Sequence, residues 1–277
     1  MTDDAHEDSL PAYAVDRAGV AQLAGAHPWP SPVTRDWALG GSTGRGVRVC
    51  VVDSGIEAGH PLVGGVNESV AVSIVDDEVL IEPDTLGDLC GHGTACAGII
   101  REIAPDCELY SVRVLGEGFV GSGPVLVAGL RWAIEQGYDV INMSLSTTKR
   151  RFVEALHDLA DVAYFRRSIV VASAHNMPVA SYPWRFSSVI SVASHDLEDP
   201  LAYYRNPDPP VEFFARGVDV KVAWNGGVTM RSTGNSFATP HITGICALIR
   251  SKHPYLTPPE LKTLLGLTAA NAGAPDE

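Results

Sequence analysis

The strongest constraint on this chain is a series of short apolar runs separated by amphipathic stretches. Val47–Val52, apolar apart from Arg48 and rich in β-branched residues, has the composition of a strand buried on both faces. Similar runs recur at 108–114, 139–145, 168–173 and 188–193. Between them the spacing becomes helical. In 122–136, Leu126, Leu130, Ala133 and Ile134 share one face, and Gly137 is a natural stop. In 150–164, Phe152, Leu156, Leu159, Ala160 and Ala163 do the same. Strands alternating with helices predict a parallel sheet covered on both sides. The expected fold class is α/β, a single domain with a mostly parallel, doubly wound sheet. No repeat or linker divides 45–268. We therefore expect an acidic, Pro-containing, poorly ordered arm over 1–30, a folded domain over 31–268 and a short tail over 269–277.

Charge and composition exclude several functions. Twenty Lys and Arg against 33 Asp and Glu give a net charge of −13, the wrong sign for a phosphate-binding surface, so no nucleic-acid partner is expected. No apolar run approaches the ~18–20 residues that span a bilayer, so no membrane association is expected. The opening MTDDAHEDSLPAY places acids where a signal peptide needs positive charge, and a cytoplasmic location is the expectation. Cys50, Cys90, Cys96, Cys107 and Cys246 are an odd set, read as free thiols in a reducing compartment. There is no CxxC, HExxH or paired Cys/His set, so neither a metal centre nor a cofactor is expected. The glycine-rich 40–46 stretch precedes its strand and lacks the Gly-Lys-Ser/Thr of a phosphate loop, which makes it a turn. Asp76, Asp77 and Glu78 read as a solvated acidic loop rather than a tight calcium site.

In parallel sheets the working groups gather at the carboxyl ends of strands and the amino ends of the helices that follow. Asp53 ends the 47–52 run, His92 sits in Gly91-His92-Gly93-Thr94, and Ser236 opens an apolar helix. Taken singly these are a turn former, a satisfied histidine and an N-cap serine. Jointly they are a nucleophile, a base for its proton and a carboxylate to orient that base. Asp before His before Ser is one of the chain orders in which that triad occurs.

Three blocks make the pattern specific: VCVVDSGI (49–56), GHGTACAG (91–98) and GNSFATPHITG (234–244). With the connecting text at 103–115, 129–146 and 181–194, they resemble the subtilisin-like serine peptidases over about 45–268. The resemblance implies the subtilisin type of sheet and peptide-bond hydrolysis through an acyl-enzyme. It implies Asp53 as orienting acid, His92 as general base and acid, Ser236 as nucleophile and Asn176 as oxyanion donor, where residues alone suggest only a loop asparagine. It also implies a peptide or protein substrate bound as an extended strand between Gly121, Ser122, Gly123 on one side and Ser144, Leu145, Ser146 on the other. Ser144–Ser146 and Ser173, Ala174, His175 would wall the pocket, with Ser181 near its base. Tyr182-Pro183 aligns with a dipeptide often cis in the family.

The departures are informative. Asn235 and Phe237 stand where Thr and Met are usual, and an amide at 235 could line the oxyanion site. Ser146 and His175 replace glycines and should narrow the pocket. Cys96, one helical turn after His92, is expected beneath the imidazole. The expected role is a selective cytoplasmic processing protease acting on one precursor peptide or partner protein, with its activity confined by assembly with a partner protein or as an oligomer. A non-catalytic peptide- or partner-binding protein and a peptide ligase or cyclase are the alternatives.

Overall fold

The computed structural model describes residues 11–22, 27–76 and 78–273. Contacts divide the chain into a unit ending at Val33 and a second beginning at Thr34. Within the first, Arg17–Gln22 forms a short helix, α1, with no buried residue. Much of the expected 1–30 arm, residues 1–10 and 23–26, lies outside the described residues, as does Asp77 of the acidic loop.

The second unit opens on α2 (Arg35–Leu39), capped by Thr34, whose Oγ1 accepts the Trp37 N–H at 3.1 Å. The glycine-rich stretch then turns the chain into β1 (Arg48–Asp53). A hairpin follows, β2 (Glu68–Val75) and β3 (Glu78–Pro83), then α3 (His92–Ile103), β4 (Glu108–Arg113), α4 (Gly123–Glu135) and β5 (Val140–Met143). The chain continues through α5 (Val153–Phe165), β6 (Ile169–Ser173), β7 (Ile190–His195), β8 (Tyr203–Arg205) and β9 (Phe213–Arg216). A small hairpin, β10 (Val220–Trp224) and β11 (Val228–Ser232), precedes α6 (Asn235–Lys252) and α7 (Pro258–Thr268).

Among the described residues the main sheet has nine strands in the order β3-β2-β4-β1-β5-β6-β7-β9-β8. The seven inner strands run parallel, and β3 and β8 close the two edges antiparallel. The fold is the mostly parallel α/β sheet expected from the apolar runs. Cys50, Val52, Ile141, Met143 and Val170 face one side, packed with Leu126 and Leu130 of α4 and Leu156 and Leu159 of α5. Fully burying each such side chain contributes roughly 1.5–3 kcal/mol. Helices α3 and α6 cover the other face, and every residue of α6 from Phe237 to Arg250 is buried. The segment after α7 is packed rather than trailing: Ala269 is buried, Ala270 N–H donates to the Tyr203 carbonyl, and Asn271 bonds the backbone of Arg205. Residues 274–277 lie outside the described residues. Among the described residues no helix is long and apolar enough to cross a membrane.

Candidate active site

The β1 strand, buried from Val49 to its end, delivers Asp53 to its carboxyl end in the middle of the sheet with no exposed surface. Ser54 N–H donates to Asp53 Oδ1 at 2.8 Å. Helix α3 begins at His92 itself, and its start is set by two features. Gly91 adopts φ +88°, and a Cβ there would lie 2.5 Å from the Trp224 ring, so only glycine fits. Asp88 gathers the loop: Oδ1 accepts from Ser54 Oγ (2.7 Å), Cys90 N–H (2.9 Å) and Gly91 N–H (2.8 Å). Its Oδ2 accepts from the N–H and hydroxyl of Thr94 at 2.8 and 2.6 Å. A carboxylate at a helix amino end satisfies donors that the helix leaves open.

His92 Nδ1 lies 2.8 and 2.9 Å from the two carboxylate oxygens of Asp53. An ionised carboxylate only accepts, so Nδ1 carries the proton and Nε2 keeps its lone pair. Burial disfavours the imidazolium, but the charge and hydrogen bond of Asp53, with a smaller push from Asp88, prevail and hold the His92 pKa above its ordinary value.

Ser236 is the second residue of α6. Four residues on, Pro240 has no N–H to bond the Ser236 carbonyl. That carbonyl instead accepts Ser144 Oγ at 2.8 Å, and the Cys96 thiol lies 3.8 Å from it. Ser144 is in turn held by Asn142 Nδ2 (3.1 Å), whose Oδ1 accepts Thr243 Oγ1 (2.9 Å). A buried chain of side chains thus fixes the start of α6 against the strand end of β5. Asn176 follows β6, and its Oδ1 accepts the Asn235 N–H at 2.9 Å, which leaves Nδ2 as the free donor. A Cβ built on Gly234 would lie 3.4 Å from both Asn176 Nδ2 and Ser236 Oγ, so the two atoms flank one small space.

A cleft of about 530 Å³ takes in His92, Ser236 and Asn176 together. Gly121, Ser122, Gly123, Ser144, Leu145, Ser146, Ser173, Ala174 and His175 also line it. Ser181 does not line it. It is fully buried behind the wall, where its Oγ accepts from Ser146 Oγ (2.9 Å) and Trp184 Nε1 (2.8 Å). Ser146 therefore turns its hydroxyl into the wall rather than into the pocket. His175 stays at the lining, its Nδ1 accepting the Met177 N–H at 3.0 Å. Tyr182-Pro183 is cis.

Asn235 corrects the expectation drawn from its amide. Its Oδ1 accepts the Ser194 N–H (3.0 Å) and its Nδ2 donates to the His175 carbonyl (3.3 Å), so the side chain ties β7 to the loop bearing Asn176 instead of facing the oxyanion space. Phe237 is buried, and its ring centroid lies 5.4 Å from that of His92. The Phe119 ring meets that of His92 nearly perpendicular, with centroids 5.9 Å apart. Asp88, Asn142 and Thr243 escaped sequence reasoning. The only signal was a carboxylate four residues ahead of a helix start at Asp88.

Asp53, His92 and Cys96 offer ligand atoms within 4.8 Å of one another. They do not make an open metal set. His92 and Asp53 are spent on each other, and burial together with Asp53 pushes the Cys96 thiol pKa far up, so it holds its proton. At the tip of the β2–β3 hairpin, Asp76 and Glu78 are exposed.

Comparison with known proteins gives relatives over most of the chain. A sequence model of the subtilase family, Peptidase S8, matches residues 44–277. Subtilisin DY of Bacillus licheniformis is 33% identical over 251 residues, 84% of this chain and 87% of that protein. Subtilisin E of Bacillus subtilis is 32% identical over 248 residues, 84% of this chain and 63% of that one. Among solved structures, a cold adapted subtilisin-like serine proteinase matches with TM-score 0.69 and 28% identity, covering 84% of this chain and 87% of that chain.

Proposed function

The chain belongs to the subtilase family and is a serine endopeptidase, and from that premise we propose that Ser236 is its nucleophile, His92 its general base and acid, Asp53 the orienting carboxylate and Asn176 an oxyanion donor. The observation that carries this reading is the His92 Nδ1 held by both oxygens of Asp53 in a cleft shared with Ser236 and Asn176. Serine is a weak nucleophile until its proton is taken. His92 Nε2 accepts that proton as Ser236 Oγ attacks the substrate carbonyl, and Asp53 stabilises the imidazolium that forms. The oxyanion is received by Asn176 Nδ2 and by the Ser236 N–H, one of the unpaired donors in the first turn of α6. His92 then protonates the leaving amine and, in the second half, draws the proton from the attacking water.

The substrate lies extended between Gly121–Gly123 and Ser144–Ser146, pairing its backbone with both. We read the role as selective processing of one precursor peptide or partner protein in the cytoplasm. The imidazole-bearing His175 in the pocket lining supports selectivity, and five free cysteines suit a reducing compartment. Incubating the enzyme with denatured casein and with a diverse peptide library, and weighing the products, tests this reading. New pairs of fragments that together add one water, from a few related sequences, support it. Rapid cleavage of everything removes the selective role, and joined or cyclised products without water addition replace hydrolysis by ligation.

A further inference from the structure

The cleft is electrostatically unlike the protein that holds it. The chain carries 33 acidic residues against 20 basic, yet no Asp or Glu is found among the described residues lining the cleft. Asp53 lies behind His92 with no exposed surface. The 3₁₀ turn Glu117–Phe119 gives its phenyl ring, not its carboxylate, to the lining. The one Lys or Arg in the lining is Lys149, three residues beyond the Ser144–Ser146 wall. Arg150 and Arg151 follow it, and all three are exposed. Among the described residues no ion pair ties Lys149, Arg150 or Arg151 to a carboxylate.

This basic loop is fixed at the binding edge rather than free on the surface. Its next residue, Phe152, packs so closely on Gly123 that a Cβ there would meet the ring at 1.9 Å. Lys149 N–H donates to Thr147 Oγ1 at 3.2 Å, and Thr147 also lines the cleft. The loop therefore spans the rim between the two segments proposed to hold substrate. A cation there, which no carboxylate pairs among the described residues, has its charge available to a ligand. At physiological salt, fields fade over about 8 Å, so the acidic outer surface is screened from the cleft while a contact with Lys149 is not.

We propose that the cleft selects peptides bearing a carboxylate side chain on the acyl side of the bond to be cut, and that Lys149 is the cation that reads it. The inference rests on the peptidase reading of the site. A basic side chain at the same place meets Lys149 unfavourably and finds no carboxylate in the lining to compensate.

The test uses tetrapeptidyl phosphonates with Glu, Gln or Lys at each of the four positions in turn, alongside a small neutral fluorophosphonate. Each rate of inactivation is divided by that of the matching Gln compound, so a change in overall reactivity cancels. At one or more positions Glu should exceed Lys by about fivefold, the scale of one exposed ion pair. Lys149→Gln should bring the ratio close to one, Lys149→Glu should invert it, and 1 M salt should flatten it. Labelling of Ser236 by the neutral reagent with a Glu/Lys ratio of one or less everywhere overturns the charge reading and leaves the peptidase standing. So does a ratio that Lys149→Glu fails to move. Peptidyl phosphonates that do not react at all while the neutral reagent does also overturn it. If the neutral reagent fails to label Ser236, the peptidase assignment falls and the charge reading falls with it.

Discussion

Replacing Asn235 by Ala removes two hydrogen bonds, one from the Ser194 N–H and one to the His175 carbonyl. At roughly 0.5–1.5 kcal/mol net for each, stability should drop by about 1–3 kcal/mol. The catalytic effect runs through Asn176. The Asn235 side chain holds the carbonyl one residue before it, and the Asn235 backbone N–H holds its amide oxygen. A whole oxyanion donor is worth about 10²–10³ in kcat, which sets the ceiling. Displacing a positioned group by an ångström can cost about 10²-fold, so a loss of about 10- to 100-fold in kcat is expected, with KM little changed. The assay is steady-state and single-turnover hydrolysis of a chromogenic peptide, well below the Tm of each variant. The decisive comparison is Asn235→Ala in an Asn176→Ala background. With the donor already gone, the second substitution should change kcat by no more than about threefold, because residues that act as a unit are not additive. An equal loss in both backgrounds, or an unchanged kcat despite lowered stability, would refute the clamp.

Other consequences are open to direct measurement. His241 is buried in α6, and among the described residues its Nε2 has no hydrogen-bond partner. Burial, opposed by the Phe237 carbonyl and reinforced by Arg216 and His195, pushes its pKa down to about 4. The unfolded chain takes up that proton near 6.5, so it binds more protons across this window and stability falls as pH drops from about 6.5 to 4, by about 3 kcal/mol in all. Denaturant titrations of Ser236→Ala with and without His241→Leu should show that loss only where the histidine is present, and parallel curves would disprove it. Asp88→Asn removes a charge that favours the His92 imidazolium. The acid limb of kcat/KM should therefore move to lower pH, because the base becomes neutral sooner, and a shift to higher pH would contradict the sign. Thiol reagents should reach half-buried Cys90 first, since burial raises the thiols of Cys50, Cys96, Cys107 and Cys246. Peptide mapping that finds Cys96 modified fastest would overturn this order.

The strands legible in the sequence are those buried on both faces. β1, β5 and β6 are buried almost throughout and built around apolar, largely β-branched runs, and such runs are visible without any partner. The β2–β3 hairpin alternates weakly, and β3 is almost entirely exposed, so no continuous apolar run marks it. β8 and β9 have three and four residues, too few for a period to emerge. Ser122 could be read as the start of α4, and its Oγ does accept the Val125 N–H. At the site, Asp53, His92 and Ser236 stood in three recognisable blocks. What the blocks could not convey is direction. Asn235 has the same amide whether it faces the oxyanion space or β7, and the choice is made by a Ser194 N–H 41 residues away in sequence. At Asp88 the bonds to Cys90, Gly91 and Thr94 are local, as for any carboxylate just ahead of a helix, and only the bond to Ser54, 34 residues away, depends on the fold.

The assignment of Ser236 as the nucleophile is tested most directly by reacting the protein with a fluorophosphonate and locating the adduct by mass spectrometry. One phosphonyl group on Ser236, absent from Ser236→Ala and strongly slowed by His92→Ala, is the predicted result. No adduct on folded protein, or one on another serine that persists in Ser236→Ala, would contradict it.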